Sequence, residues 1–126
     1  MRIELTSVFV ENPIEAFRFY TEVLGFQEVM FMPEAYIAIV ASPEQPNGVK
    51  LLLEPRDDEI ARPYQEKLWE KGLPCIIFGV DDIHAEFQRL SDRGVTFRGE
   101  PETSDYGTSV IFEDTFGNLI QLHQAP

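Results

Sequence analysis

The side chains able to do chemistry are few, and their spacing offers no ready-made catalytic set. The 126 residues hold one cysteine, Cys75, and two histidines, His84 and His123. A thiolate nucleophile needs a base beside it. His123 is the one candidate partner, and nothing in the spacing pairs it with Cys75. Cys75 opens the apolar run Cys75-Ile76-Ile77-Phe78, where an inert buried thiol is the plainer reading. His84 falls in the first turn of an expected helix and should face solvent. Glu54 ends an apolar run beside Pro55, and His123 lies in the last expected strand, so both are expected near solvent. One cysteine also excludes an intrachain disulfide framework.

Composition narrows the partners. The formal net charge of -12 makes nucleic acid an improbable ligand, because phosphate binding needs a Lys/Arg surplus. Anionic membrane surfaces are disfavoured for the same reason. The plain reading of the charge is a solubilising acidic surface; the sharper one is a site for a cationic ligand. No apolar run approaches the ~20 residues needed to span a bilayer. Glu4 interrupts any signal-like stretch at the N-terminus. A soluble cytoplasmic protein is expected.

The elements that must position these residues come in two sets. Residues 3–10 read as a strand rich in β-branched residues. Asn12 then reads as an N-cap, with Pro13 at N1 and Glu15 at N3. Ile14, Phe17, Tyr20 and Leu24 give one apolar helix face, stopped by Gly25. Three strands follow at 27–32, 35–41 and 48–54. Residues 57–74 form a linker with a short helix from Pro63 to Lys71, Tyr64 and Leu68 facing inward. Its Trp69, the only tryptophan, either packs this helix onto the body or walls a cavity or dimer seam. The second set is a strand at 75–80, a helix capped by Asp82 and closed by Gly94, and strands near 95–98, 108–113 and 118–123. Asp114-Thr115-Phe116-Gly117-Asn118 is the turn joining the last two.

The two sets repeat one plan. Val10 aligns with Val80, Glu11-Asn12 with Asp81-Asp82, and Phe17 with Phe87. Gly25 and Gly94 close the paired helices, and Gly48 and Gly117 precede the apolar runs that end each half. A period near seventy residues means two copies of one supersecondary module, since a solenoid needs at least three repeats. The expected organisation is a first module at 1–56, the linker at 57–74 and a second module at 75–126. Two such modules side by side leave a seam suited to a ligand.

Three stretches carry a family resemblance. Ala16-Phe17-Arg18-Phe19-Tyr20-Thr21-Glu22-Val23-Leu24-Gly25-Phe26 resembles the helix-and-turn signature of the vicinal oxygen chelate superfamily. Val80-Asp81-Asp82-Ile83 resembles the start of its second module, and Phe112-Glu113-Asp114-Thr115-Phe116-Gly117-Asn118-Leu119-Ile120 its closing hairpin. That superfamily includes glyoxalase I, bleomycin-resistance proteins, extradiol dioxygenases and fosfomycin-resistance enzymes. The resemblance implies an α+β fold in which two paired βαβββ modules form a curled mixed sheet around a cleft, usually in a homodimer. Its members span lyases, dioxygenases, transferases, epimerases and drug binders, so chemistry must be argued from the site.

In the metal-dependent members, four His or Glu side chains on facing strands bind one divalent ion, leaving open positions for a substrate. Carried over, the first position is Leu5, five residues before Val10. The second falls near Leu52, with Leu51 beside it, the third is Cys75 and the fourth is Gln121, four residues after Gly117. Leucine cannot coordinate a metal, Cys75 could only as thiolate, and Gln121 is a poor neutral ligand. The expectation is therefore no cofactor, and a cleft lined by Phe31, Tyr36, Leu52, Glu54, Cys75, Tyr106, Gln121 and His123 that takes a small organic molecule. Arg98 is a further cleft candidate, or pairs at the surface with Glu100 or Glu102. The alternative is a lyase or dioxygenase of the glyoxalase type. It would hold Zn, Ni, Mn or Fe at a displaced site of Glu54, Gln121 and His123, ~6.6 Å along each strand, with Glu54 as the catalytic base.

Overall fold

The computed structural model describes all of residues 1–126, which divide into two compact units, Met1–Pro63 and Tyr64–Pro126. Each unit contains an open, four-stranded mixed sheet, so the expected α+β duplication is realised as two sheets, one per module. The first unit runs β1 (Leu5–Val10), α1 (Pro13–Arg18), β2 (Gln27–Met32), β3 (Ile37–Ala41) and β4 (Lys50–Pro55). Its strand order is β1-β4-β3-β2, with β1 and β4 parallel and the other neighbours antiparallel. The second unit runs β5 (Ile76–Gly79), α3 (Ile83–Asp92), β6 (Glu102–Ser104), β7 (Gly107–Glu113) and β8 (Leu119–Gln124), in the matching order β5-β8-β7-β6. Helix α2 (Ala61–Lys71) spans the boundary between the units in its first turn.

The helices start where the sequence places them. The Asn12 side chain accepts from the amides of Ile14 (3.0 Å) and Glu15 (3.2 Å), and Asp82 accepts from that of Ala85 (3.1 Å). These bonds satisfy amides that have no partner within the helix. The first helix ends differently from expectation. After Arg18 it widens into a π-helical turn, Phe19–Val23, in which the Leu24 amide donates to the Phe19 carbonyl. The Thr21 hydroxyl donates to the Phe17 carbonyl at 2.7 Å, competing for an acceptor that an α-turn would use. The apolar spacing through Leu24 fits either winding, so it did not reveal the change.

Two further expectations are corrected. Residues 95–98 do not form a strand; Phe97 makes one isolated bridge to Phe112, and the strand beside β7 is Glu102–Ser104. In α2, Tyr64 faces solvent, and Ala61 and Gln65 are the buried residues. The helix begins at Ala61 because the Asp57 carboxylate accepts from the Ile60 and Ala61 amides. Those bonds also hold the Asp57 carboxyl below its ordinary range.

Alternation then gives each sheet two unlike faces. In the first, Val8, Val10, Ala38, Val40, Leu51 and Leu53 are buried on the side that also holds Ala16 and Tyr20 of the helical segment. In the second, Val110, Phe112, Ile120 and Leu122 are buried, as are Ile83 and Leu90 of α3. Each fully buried leucine or isoleucine contributes about 2 kcal/mol. The opposite face of each sheet is more open, although Leu119 on that of the second is buried.

Candidate functional site

Strand register decides which candidates share those open faces. In the first unit, Leu5 pairs with Lys50, Ser7 with Leu52 and Phe9 with Glu54. Leu5, Leu52 and Glu54 therefore project from one face, opposite the buried residues Val8, Leu51 and Leu53. Leu51, the neighbouring alternative, points to the helix side and is buried. In the second unit the Cys75 amide donates to the Leu119 carbonyl, Ile77 pairs with Gln121, and Gly79 with His123. Cys75, Gln121 and His123 thus share one face too.

The two units correspond residue by residue. The partner of Ser7 is Leu52, and the partner of Ile77, seventy residues on, is Gln121. Leu5 corresponds to Cys75 and Glu54 to His123 by the same register. Within each unit the carried-over positions consequently share one face of their sheet, whereas a one-residue shift of either would place it on the other face.

The remaining candidates separate. Phe31 lies on the helix side of its sheet: its ring stacks on Phe17 with centroids 4.2 Å apart, and it pairs with buried Ala38. It does not share the face of Leu52 and Glu54. Tyr36 stands at the turn between β2 and β3 with φ 58, and Tyr106 at the turn between β6 and β7, 84% exposed. Gly107 beside Tyr106 has a backbone reason for its identity. Its φ is +120, and a Cβ there would run into the Gln124 carbonyl and stand 2.9 Å from the His123 ring.

The donor set at the four carried-over positions does not fit a divalent cation. Leu5 and Leu52 have no lone pair to give. Burial, reinforced by the negative charge of Asp114, pushes the Cys75 thiol up to about 12, so without a metal it is protonated at neutral pH, and a metal would have to displace that proton to bind it. Gln121 offers a neutral amide. No group of three or more His, Cys, Asp or Glu side chains is placed to hold one metal ion. Among the displaced candidates, Gln121 and His123 share a face of β8, two residues apart, while Glu54 belongs to β4 of the first unit. None of these three side chains makes a hydrogen bond or ion pair.

A polar cluster that spacing did not reveal occupies the open face of the second unit. The Arg98 amide donates to the Ile111 carbonyl, which sets Arg98 beside Ile111 and Glu113 on that face. Its Nε donates to the Glu113 carboxylate at 3.1 Å, and its guanidinium carbon lies 4.8 Å from the centroid of the Trp69 ring. Arg98 therefore pairs with neither Glu100 nor Glu102; the β-bridge at Phe97 turns it to Glu113 instead. No local pattern links positions 69, 98 and 113, so only the fold could show it. Beside it, buried Gln65 donates to the Phe116 carbonyl and to Asn118 Oδ1, fixing α2 to the turn before β8.

A family model described as the Glyoxalase/Bleomycin resistance protein/Dioxygenase superfamily matches residues 2–122. The Bacillus subtilis (strain 168) protein YurT, itself uncharacterized, is 44% identical over 127 residues, covering 98% of this chain and 99% of YurT. The crystal structure of UcmS2 is 27% identical with a TM-score of 0.80, covering 98% of this chain and 97% of that one. TnmS3, an antibiotic binding protein from Streptomyces sp. CB03234, is 26% identical with a TM-score of 0.79, covering 100% and 97%.

Proposed function

Because the chain belongs to the Glyoxalase/Bleomycin resistance protein/Dioxygenase superfamily, we propose that it uses the superfamily's scaffold without the usual metal, as a homodimer that binds a small organic molecule. One observation supports this reading: Leu5, Leu52, a protonated Cys75 and Gln121 stand at the four positions to which the superfamily resemblance carries the metal ligands, and none of the four is a His or carboxylate. Each open sheet face offers apolar area of its own, Leu5 and Leu52 in the first unit and Ile111 in the second, with a few polar groups beside it, as a small-molecule site requires. The similarity to TnmS3, described as an antibiotic binding protein, supports the same class of activity. Binding here means sequestering the ligand, which requires no reacting group.

The test is thermal denaturation of the homogeneous protein with Zn, Ni, Mn and Fe(II), and separately with a panel of aromatic small molecules. A ligand at a hundred times its Kd stabilises the folded state by ~2.7 kcal/mol, roughly 10 °C for a chain of this size. The expected result is a shift of that order with at least one aromatic compound and none with the metals. A metal-induced shift lost on Glu54→Ala or His123→Ala would overturn the reading in favour of a displaced metal site.

A further inference from the structure

We propose that Arg98 is a ligand-recognition residue, whose guanidinium receives the carboxylate of an aromatic ligand on the open face of the second unit. This rests on the small-molecule reading above and names the chemistry of its ligand. Three contacts prearrange the group. Glu113 takes the Nε hydrogen at 3.1 Å, the guanidinium carbon lies over the Trp69 ring 4.8 Å from its centroid, and the backbone at Arg98 is pinned to Ile111 at 2.7 Å. These contacts hold the guanidinium in place, so a ligand would not have to order a long, mobile side chain.

What the contacts leave over is the informative part. Glu113 is bonded only through Nε, and the two Nη groups of Arg98 have no partner. The indole N–H of Trp69 also has none. The end-on pair of Nη donors matches the two oxygens of a carboxylate, which is the strong bidentate arrangement. The Arg98 side chain is 38% exposed and Trp69 is 37% exposed, so both can be reached. Half-buried Ile111 beside Arg98 supplies apolar surface for the ligand's ring.

The net charge of -12 would by itself favour a cation. Screening decides against that argument at close range. At physiological ionic strength the Debye length is about 8 Å, so a bound carboxylate responds to the guanidinium it touches more than to distant acidic residues. Glu113 offsets part of the Arg98 charge, which makes fork geometry rather than bare charge the basis of selection.

The experiment compares 2-naphthoate with its uncharged isostere 2-naphthamide, using two-dimensional amide NMR of the whole protein. Trp69 is the only tryptophan, so its indole N–H gives a single signal that reports on this cluster. Naphthoate is expected to shift that signal and to bind at least tenfold more tightly than naphthamide. Arg98→Gln should reduce that ratio to near one, and Arg98→Lys, which keeps the charge but loses the fork, should retain only part of it. Unchanged signals elsewhere in the spectrum verify that each variant is folded. Equal binding of the two compounds, or a preference that survives in Arg98→Gln, overturns carboxylate recognition while leaving small-molecule binding in place. Naphthoate that leaves the indole signal unmoved also overturns it. Failure of the whole aromatic panel as well would remove the parent reading too.

Discussion

The state of Cys75 separates a packing residue from a reactive one. Its thiol is pushed from an ordinary 9.0 to about 12, first by burial and then by the charge of Asp114. Only the thiolate reacts. At pH 8 the thiolate fraction falls from ~0.1 to ~10⁻⁴, so alkylation by iodoacetamide should be about a thousandfold slower than for a free thiol. The rate should then rise with pH throughout the range in which the protein stays folded. Mass spectrometry of labelled protein measures this, and rapid labelling at pH 8 would contradict it. The folded state holds this proton more tightly than the unfolded chain does. Its contribution is complete below about pH 9 and is lost as pH rises toward about 12. At this scale the sequence was partly legible. Cys75 in an apolar run reads directly as a quiet thiol. Arg98 does not, because its choice of Glu113 over Glu100 or Glu102 depends on a single long-range bridge at Phe97.

Among the elements, the turn between β7 and β8 carries the most concentrated hydrogen bonding. Asp114 is fully buried and accepts from the Phe116 amide (2.7 Å), the Asn118 amide (3.0 Å) and the Asn118 side chain (2.8 Å). Gly117 completes the turn at φ +101, and a Cβ there would stand 2.5 Å from the Gln65 side chain. Gly117→Ala should therefore cost about 2 kcal/mol or more, by backbone strain and by displacing the amide that ties α2 to the turn. Urea denaturation measures it; a loss below ~0.5 kcal/mol would mean that Gln65 moves aside freely. The turn was readable because Asp, Gly and Asn have local reasons for their places. The caps at Asn12 and Asp82 were readable for the same reason. What escaped was non-local: the π-turn at Phe19–Val23 shares its apolar spacing with an α-helix, and Gln65 is inward only because Asn118 and Phe116 meet it. The misplaced strand at 95–98 is the same kind of failure, since an edge pairing depends on β7 and not on its own residues.

For the molecule as a whole, the proposed homodimer sets two forces against each other. Strand β2 is the edge of the first sheet, and it exposes Val29, Met30 and Met32 at 42%, 42% and 38%. Edge strands with exposed apolar side chains invite pairing, and charges on the edge are how monomers avoid it. Here Glu28 is the one charged residue in Gln27–Met32. Against association stands the charge of -12 on each chain, which sums to -24 in a pair. The repulsion is long-range and falls steeply with salt, whereas the apolar contact does not. Sedimentation equilibrium should therefore give about 29 kDa, twice the 14.5 kDa of one chain, with tighter association at 0.5 M than at 0.05 M NaCl. Met30→Lys, which places a charge on the exposed strand without touching the buried face, should shift the equilibrium to monomer. A chain that sediments at 14.5 kDa in both salts, or a Met30→Lys variant that still dimerises with unchanged affinity, would exclude this edge as the interface.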